Sequence, residues 1–204
     1  MQVYIDGENC RKGLVRVLRD AGLIHGSREM TTYRLRDLLK DVLDTDGDLA
    51  INYYASKIKL PHGYTPSADI MAHVNTIRQF SRHWVPNLES QGITYVKAGY
   101  LKVKNGATCP NCGHVQDVLQ EKGVDVRVAT DVLSAAYTEE KPTIVLFSSD
   151  SDLIPALSRA KEKGAKIIYV CFADYVNYAV SRVADETVSV TIEKAKKYFA
   201  SAAS

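Results

Sequence analysis

Short apolar, β-branched runs alternate along this chain with longer stretches in which apolar residues recur every three or four positions. Residues 2–6 (Gln2-Val3-Tyr4-Ile5-Asp6) form the first such run and predict a strand. Leu14, Val15 and Leu18 then fall on one face of a predicted helix from Asn9 to Ala21, which Gly22 ends as a C-terminal cap. Leu35, Leu38, Leu39 and Val42 predict a second helix over Thr31 to Leu43. The turn Asp44-Thr45-Asp46-Gly47-Asp48 leads to a strand from Leu49 to Ile58, and His62-Gly63-Tyr64-Thr65-Pro66 is a loop. Ser67 caps a long helix through Ile70, Val74, Ile77 and Phe80, which Pro86 is expected to break or kink.

Ile93 to Val96 reads as a third strand. Residues 100–118 leave the pattern and read as an inserted hairpin around Cys109-Pro110-Asn111-Cys112-Gly113-His114. A helix follows from Asp125 to Tyr137, then a strand from Thr143 to Phe147 and a helix from Asp152 to Lys163, with Pro155 tolerated in its first turn and Gly164 after its end. Lys166 to Phe172 is a fifth strand, followed by a short helix at Asn177 to Val183, a strand at Thr187 to Ile192 and a C-terminal helix. Strands alternating with helices predict an α/β fold of three layers, α/β/α, around a mainly parallel sheet. The expected organisation is one domain over residues 1–192, with a C-terminal helix and frayed tail over 193–204.

The ends of these runs carry the chemistry. The first strand leads into Asp6-Gly7-Glu8-Asn9, and the strand at 143–147 leads into Ser148-Ser149-Asp150-Ser151-Asp152. Between them lies Lys122-Gly123-Val124-Asp125, with Asp131 six residues further on. Ligand sites in open α/β sheets form at the carboxyl ends of the strands. Carboxylates gathered there repel one another unless positive charge sits between them, and a hard divalent cation such as Mg²⁺ or Mn²⁺ prefers oxygen ligands. Such a cation suits phosphoryl chemistry, because it binds phosphate oxygen and makes water more acidic. Asp125 and Asp131 differ by about 600° of helical rotation, so they do not share a helix face.

Each residue also has a plainer role. Asp125, Ser151 and Asp152 suit helix N-caps; Asn9 either caps the first helix or bonds a carboxylate or phosphate; Ser148 and Ser149 either serve the turn or donate to phosphate or to Asp6. It is the group, with two strand-end clusters, that points to a metal site.

Composition changes this picture little. Of 204 residues, 46% are hydrophobic and 25% charged, which fits a soluble globular domain with a full core. A formal net charge of +2 gives no global nucleic-acid signature, although a local basic groove can flank an acidic centre. No apolar run approaches the roughly 20 residues of a membrane span, and no secretory signal is seen, so four Cys suggest a reducing compartment and a cytoplasmic location.

Tyr4-Ile5-Asp6-Gly7-Glu8-Asn9, Lys122-Gly123-Val124-Asp125-Val126 with Asp131, and Ser148-Ser149-Asp150-Ser151-Asp152-Leu153 together resemble the NYN domain family, PIN-like metal-dependent ribonucleases, with the LabA-like bacterial branch nearest. The resemblance spans about residues 2–185, and Val183-Ala184-Asp185-Glu186 resembles the family's terminal element. It implies a PIN-like fold, an Mg²⁺ or Mn²⁺ site on Asp6, Asp125, Asp150 and Asp152, with Asp131 as a weaker ligand, and endonucleolytic cleavage of RNA, single-stranded or structured. Ser149 stands where the family often has Gly, and Leu153 where it often has an aromatic; both bear on subtype, and neither removes a ligand.

Two other functions compete. A haloacid-dehalogenase-type phosphohydrolase also places Asp at strand ends, but it wants a second Asp where Glu8 stands. A catalytically silent RNA- or protein-binding module of the same fold would have no need of mutually repelling carboxylates.

Cys109, Cys112 and His114 resemble half a zinc ribbon, and a closed zinc site would take a fourth ligand from His62 or from the second subunit of a homodimer. The plainer reading is a Cys-containing hairpin turn. Cys10 and Cys171 read as small buried hydrophobes. Candidate phosphate contacts are Lys57, Lys59, Lys97, Lys102 and Lys104, with Arg11, Lys12 and Arg16 near Asp6 and Lys122 near Asp125. Exposed Tyr53, Tyr64 or Tyr100 could stack on unpaired bases, although a sheet position with a polar tip is the commoner role for Tyr.

Overall fold

Among the described residues, seven strands form one twisted sheet in the order β4-β3-β2-β1-β5-β6-β7. In this computed structural model the described residues are 1–60, 67–108, 110–113 and 115–199, with side chains described at all of these except 104–107 and 115–117. The strands are β1 (Gln2–Asp6), β2 (Ala50–Lys59), β3 (Thr94–Thr108), β4 (Val115–Lys122), β5 (Thr143–Phe147), β6 (Lys166–Phe172) and β7 (Glu186–Val190). The helices are α1 (Gly7–Asp20), α2 (Leu35–Val42), α3 (Ala68–Ser90), α4 (Val124–Thr138), α5 (Ile154–Glu162), α6 (Tyr178–Val183) and α7 (Ile192–Lys197). All neighbouring strands are parallel except the edge pair of β3 and β4.

The alternation of side chains across β1 explains the layers. Val3 and Ile5 point into a core built with α1, α2, α3 and α7, while Tyr4 points into a second core built with α4, α5 and α6. A strand buried on both faces reads as a continuous apolar run, which is the pattern of β1, β5 and β6. The result is the expected three-layer α/β/α fold with a mainly parallel sheet.

After β1 the chain winds outward on one side through β2 and β3, then crosses back to β5 and winds outward on the other side. The sheet therefore reverses direction between β1 and β5. A crevice opens at such a switch point, beyond the carboxyl ends of the two strands.

Four local expectations are revised. Helix α3 continues to Ser90 through Pro86, because Pro86 lies on the solvent face, opposite Ile70, Val74, Phe80, Trp84 and Leu88, where water can take up the carbonyl it leaves unbonded. Helix α2 starts at Leu35, not Thr31, after a separate 3₁₀ turn at Ser27–Met30; Tyr33 between them is buried and donates its hydroxyl proton to the Ala195 carbonyl at 2.8 Å. The expected hairpin is the edge of the sheet, since β3 runs on for 15 residues and β4 returns antiparallel. Tyr53 is buried, 2% exposed, with its hydroxyl donating to the Gly7 carbonyl at 2.8 Å, so it presents no free stacking face. Tyr100 is exposed, and the Lys59 ammonium lies 5.0 Å from its ring centre. Tyr64 and His62 lie outside the described residues.

Candidate metal centre

Asp6, Asp125 and Asp150 each offer a carboxylate oxygen within 4.8 Å of the other two. Asp6 ends β1, and Asp150 follows β5, so both reach the switch-point crevice from its strands. Asp125 arrives by a different route. Gly123, at φ +89°, makes a left-handed turn from β4 into α4 and sets Asp125 in the first turn of that helix.

Asp6 is the most tightly held. It is 4% exposed and caps α1, with Oδ1 accepting the backbone N–H groups of Glu8 at 3.0 Å and Asn9 at 3.1 Å. Its other oxygen accepts from the Asn9 amide and from the buried Ser148 hydroxyl at 3.3 Å. Asn9 is therefore a buttress of Asp6, and Asp6 itself is the cap of the first helix. Ser148 Oγ also accepts the Asp150 backbone N–H at 3.2 Å, so one hydroxyl ties both strand-end acids together.

Burial pushes the Asp125 carboxyl above its ordinary pKa, and the charges of Asp150, Asp6 and Asp152 push it further in that order. The trio is a set of hard oxygen donors whose mutual repulsion a bound cation would relieve. The donor chemistry fits Mg²⁺ or Mn²⁺.

The remaining expected residues are distributed around this trio. Asp152 is exposed in the 3₁₀ turn Ser151–Leu153, its backbone N–H donating to Asp150 at 2.9 Å, and its carboxylate is outside the close group. Asp131 faces elsewhere on α4, paired with Arg127 at 2.9 Å and accepting the Tyr54 hydroxyl at 2.9 Å. Ser149 turns from the acids to share a 2.9 Å hydrogen bond with the Tyr169 hydroxyl. Lys122 is exposed at the end of β4. Glu8 is engaged by Arg11 at 2.7 Å and Lys12 at 3.2 Å. Burial alone would raise its pKa, but these two cations hold the carboxyl below its ordinary value. Asp185 accepts the Ile167 backbone N–H at 2.8 Å and pairs with Lys161, at the opposite end of β6 from the site. Cys112 is an exposed free thiol, while Cys109 and His114 lie outside the described residues.

Two features escape a reading of the sequence. Tyr175 and Tyr178 are exposed, 58% and 74%, on the loop after β6 and at the start of α6. Asn177 between them donates to the Ser149 carbonyl at 2.8 Å, which ties this segment to the turn that carries Asp150, and the Arg16 guanidinium lies 5.0 Å from the Tyr175 ring centre. The other is Glu121, half-buried near the end of β4. Burial raises its pKa first, and the charges of Asp6, Glu8 and Asp125 add to the effect. Strand alternation over 115–122 would have placed Glu121 on the same face as Leu119.

The NYN domain family model matches residues 1–193. The chain belongs to the NYN domain family. This is a family of PIN-like nucleases, and the acidic trio of this NYN domain can hold a metal ion. Over 67 residues the chain is 30% identical to MJ0482, an uncharacterised protein of Methanocaldococcus jannaschii; the match spans 33% of this chain and 28% of that protein. A solved structure of a Vibrio parahaemolyticus protein of unknown function, VPA0982, aligns over 93% of this NYN domain and 91% of that chain, with 13% identity and a TM-score of 0.49. Among the described residues no helix is long and apolar enough to cross a membrane.

Proposed function

We propose that this NYN domain is a divalent-metal-dependent endoribonuclease of the LabA-like branch, acting in the cytoplasm on RNA. The observation that carries the proposal is the convergence of Asp6, Asp125 and Asp150 at the switch point of the sheet. In this reading Asp6, Asp125 and Asp150 hold Mg²⁺ or Mn²⁺, with Asp152 completing the acidic rim. When bound, such a cation supplies positive charge for a phosphate and a more acidic water.

The chain's own residues do the rest. Asn9, Ser148 and two backbone N–H groups fix the Asp6 carboxylate in one orientation. Lys122 and Lys12, both exposed near the acids, attract the phosphate backbone. Tyr175 and Tyr178 offer faces on which unpaired bases stack. Glu8, committed to Arg11 and Lys12, does not act as the second acid of a haloacid-dehalogenase pair.

The test is cleavage of mixed structured and single-stranded RNAs with Mn²⁺ or with chelator. Asp6→Asn keeps an amide oxygen for the helix cap, and Asp150→Asn keeps one for Asp152, so both should fold. The expected result is Mn²⁺-dependent cleavage by the wild type and its loss in both variants. Unchanged cleavage in both sinks the proposal, and metal-independent binding without cleavage identifies a silent module.

A further inference from the structure

Past the level of the acids the sheet runs on as a three-stranded extension. Strand β2 continues beyond Tyr54, the register partner of Asp6, and pairs with β3, which pairs in turn with β4. After the register shift between Ala55 and Lys57, cross-strand partners stand in rows. Lys57, Tyr100 and Lys122 form one row; Lys59, Lys102 and Gln120 form the row two residues further out. Residues two apart on a strand share a face, so both rows stand on one face. The row between them, Ile58, Leu101 and Glu121, stands on the other, where Leu101, Leu119 and Glu121 line a groove against α3. The lysine rows therefore look away from α3, to the side of the sheet that carries α4 and Asp125.

Solvated faces ordinarily mix both signs of charge. Here Lys57, Lys59, Lys102 and Lys122 are all exposed, and neither row contains a carboxylate. Among the described residues none of the four forms an ion pair. The chain's net charge is only +2, so this is a local positive field, of the kind that draws in an anionic partner. Tyr100 stands in the middle of the face, 44% exposed, with the Lys59 ammonium 5.0 Å from its ring centre. A cation and an aromatic face side by side are the combination that holds single-stranded nucleic acid. Two residues of a strand rise about 6.6 Å, close to the step between successive phosphates of an extended single strand. One end of the face meets the acids: Lys122 is followed by Gly123 and then by α4, whose first turn carries Asp125.

We propose that this lysine face is the track for the single-stranded RNA flank on one side of the cut, with phosphates on Lys122, Lys57, Lys102 and Lys59 and one unpaired base stacked on Tyr100. The inference rests on the endoribonuclease reading and adds a binding surface that leads away from the acids on the α4 side. A duplex keeps its bases stacked on one another and has none to offer Tyr100, so the track selects unpaired RNA.

The test is binding of a labelled, unstructured uridine-rich dodecamer in chelator, measured over a series of salt concentrations. Each phosphate contact on a single strand contributes about 0.7 to the slope of log K against log salt. Lys59→Gln with Lys102→Gln should therefore flatten the slope by about 1.4, and changing all four lysines by about 2.8. Lys141→Gln with Lys163→Gln, two exposed lysines at the opposite end of the sheet, should leave it unchanged. Tyr100→Ala should weaken binding about tenfold at an unchanged slope, because a stacked base releases no counterion. All of these positions are exposed, so native melting is expected of each variant. Equal slopes for the wild type and the four-lysine variant overturn the track, and Asp6-dependent cleavage with Mn²⁺ in that case leaves the nuclease standing without it. A duplex that competes as well as the single strand also overturns it. Slopes that flatten as expected, with no cleavage of any RNA, uphold the track and overturn the nuclease.

Discussion

Ser148 at the end of β5 donates a 3.3 Å hydrogen bond to Asp6 at the end of β1, across 142 positions of sequence, and both side chains are buried. The same hydroxyl accepts the Asp150 backbone N–H. Ser148→Ala removes a donor to one acid and an acceptor for the loop carrying another. The expected cost is about 1–2 kcal/mol of stability, read by chemical denaturation. Mn²⁺ affinity, read by calorimetry, should fall by about 10- to 100-fold, as it does when the support of a metal ligand is lost. A variant with native Mn²⁺ affinity would show that Ser148 serves the turn alone.

Asp125 is raised in pKa by burial and by three neighbouring acids, so its charge opposes folding when no cation is bound. Asp125→Asn is therefore expected to melt above the metal-free wild type by about 1–2 °C, the gain being reduced by solvent screening of this partly exposed group. Adding Mn²⁺ should raise the melting temperature of the wild type and leave the variant nearly unmoved. Lower stability of the variant in chelator would contradict repulsion at the trio.

Gly7 stands between Asp6 and the rest of α1, where the backbone crosses closely over β2. A Cβ there would lie 2.4 Å from Cε1 of Tyr53 and 2.5 Å from the Tyr54 carbonyl oxygen. The carbonyl belongs to a central strand and cannot swing aside. Gly7→Ala is expected to cost about 2–3 kcal/mol and to shift Asp6, so thermal stability and cleavage should fall together. A loss of cleavage at native stability would place the role of Gly7 in the chemistry.

Asp41 ties α2 to the C-terminal helix. The Tyr198 hydroxyl donates to it at 2.7 Å and the Lys197 ammonium at 3.0 Å, and these hold its carboxyl below the usual range. A depressed folded pKa gives stability that is fully present above the unfolded value of about 4 and is lost as pH falls through the lower, folded value. Asp41→Asn should therefore melt below the wild type at neutral pH, by about 1 kcal/mol for a partly exposed network. The gap should close below about pH 4. A gap independent of pH would trace the effect to packing of Tyr198.

The identity of β1, β5 and β6 is legible in the sequence because strands buried on both faces must be apolar throughout, whereas their spatial order in the sheet is not. Asp6 and Asp150 are legible as the first acids after such runs. Asp152 looks equivalent to them in spacing, yet the 3₁₀ turn after β5 leaves it outside the close group, while Arg127 and Tyr54 take up Asp131, the weaker candidate. Spacing gives the face of a helix but not which salt bridge a side chain joins. The edge strand β4 escaped because Gln120, Glu121 and Lys122 make it polar, as an edge strand can be. Glu121 and the groove it helps to line were lost with it. Pro86 misled for a related reason: a proline's effect depends on which face of the helix meets water.

The sheet's reversal between β1 and β5 has a consequence in time. Asp6 is synthesised more than a hundred residues ahead of its partners Asp125 and Asp150. Synthesis runs at about 5–20 residues per second, and a domain folds as a unit once its parts are present. On the proposed function, a nascent chain carries one acid of the trio while it is still surrounded by ribosomal and messenger RNA. Synthesis itself then acts as a safety catch, released only once β5 slides in beside β1.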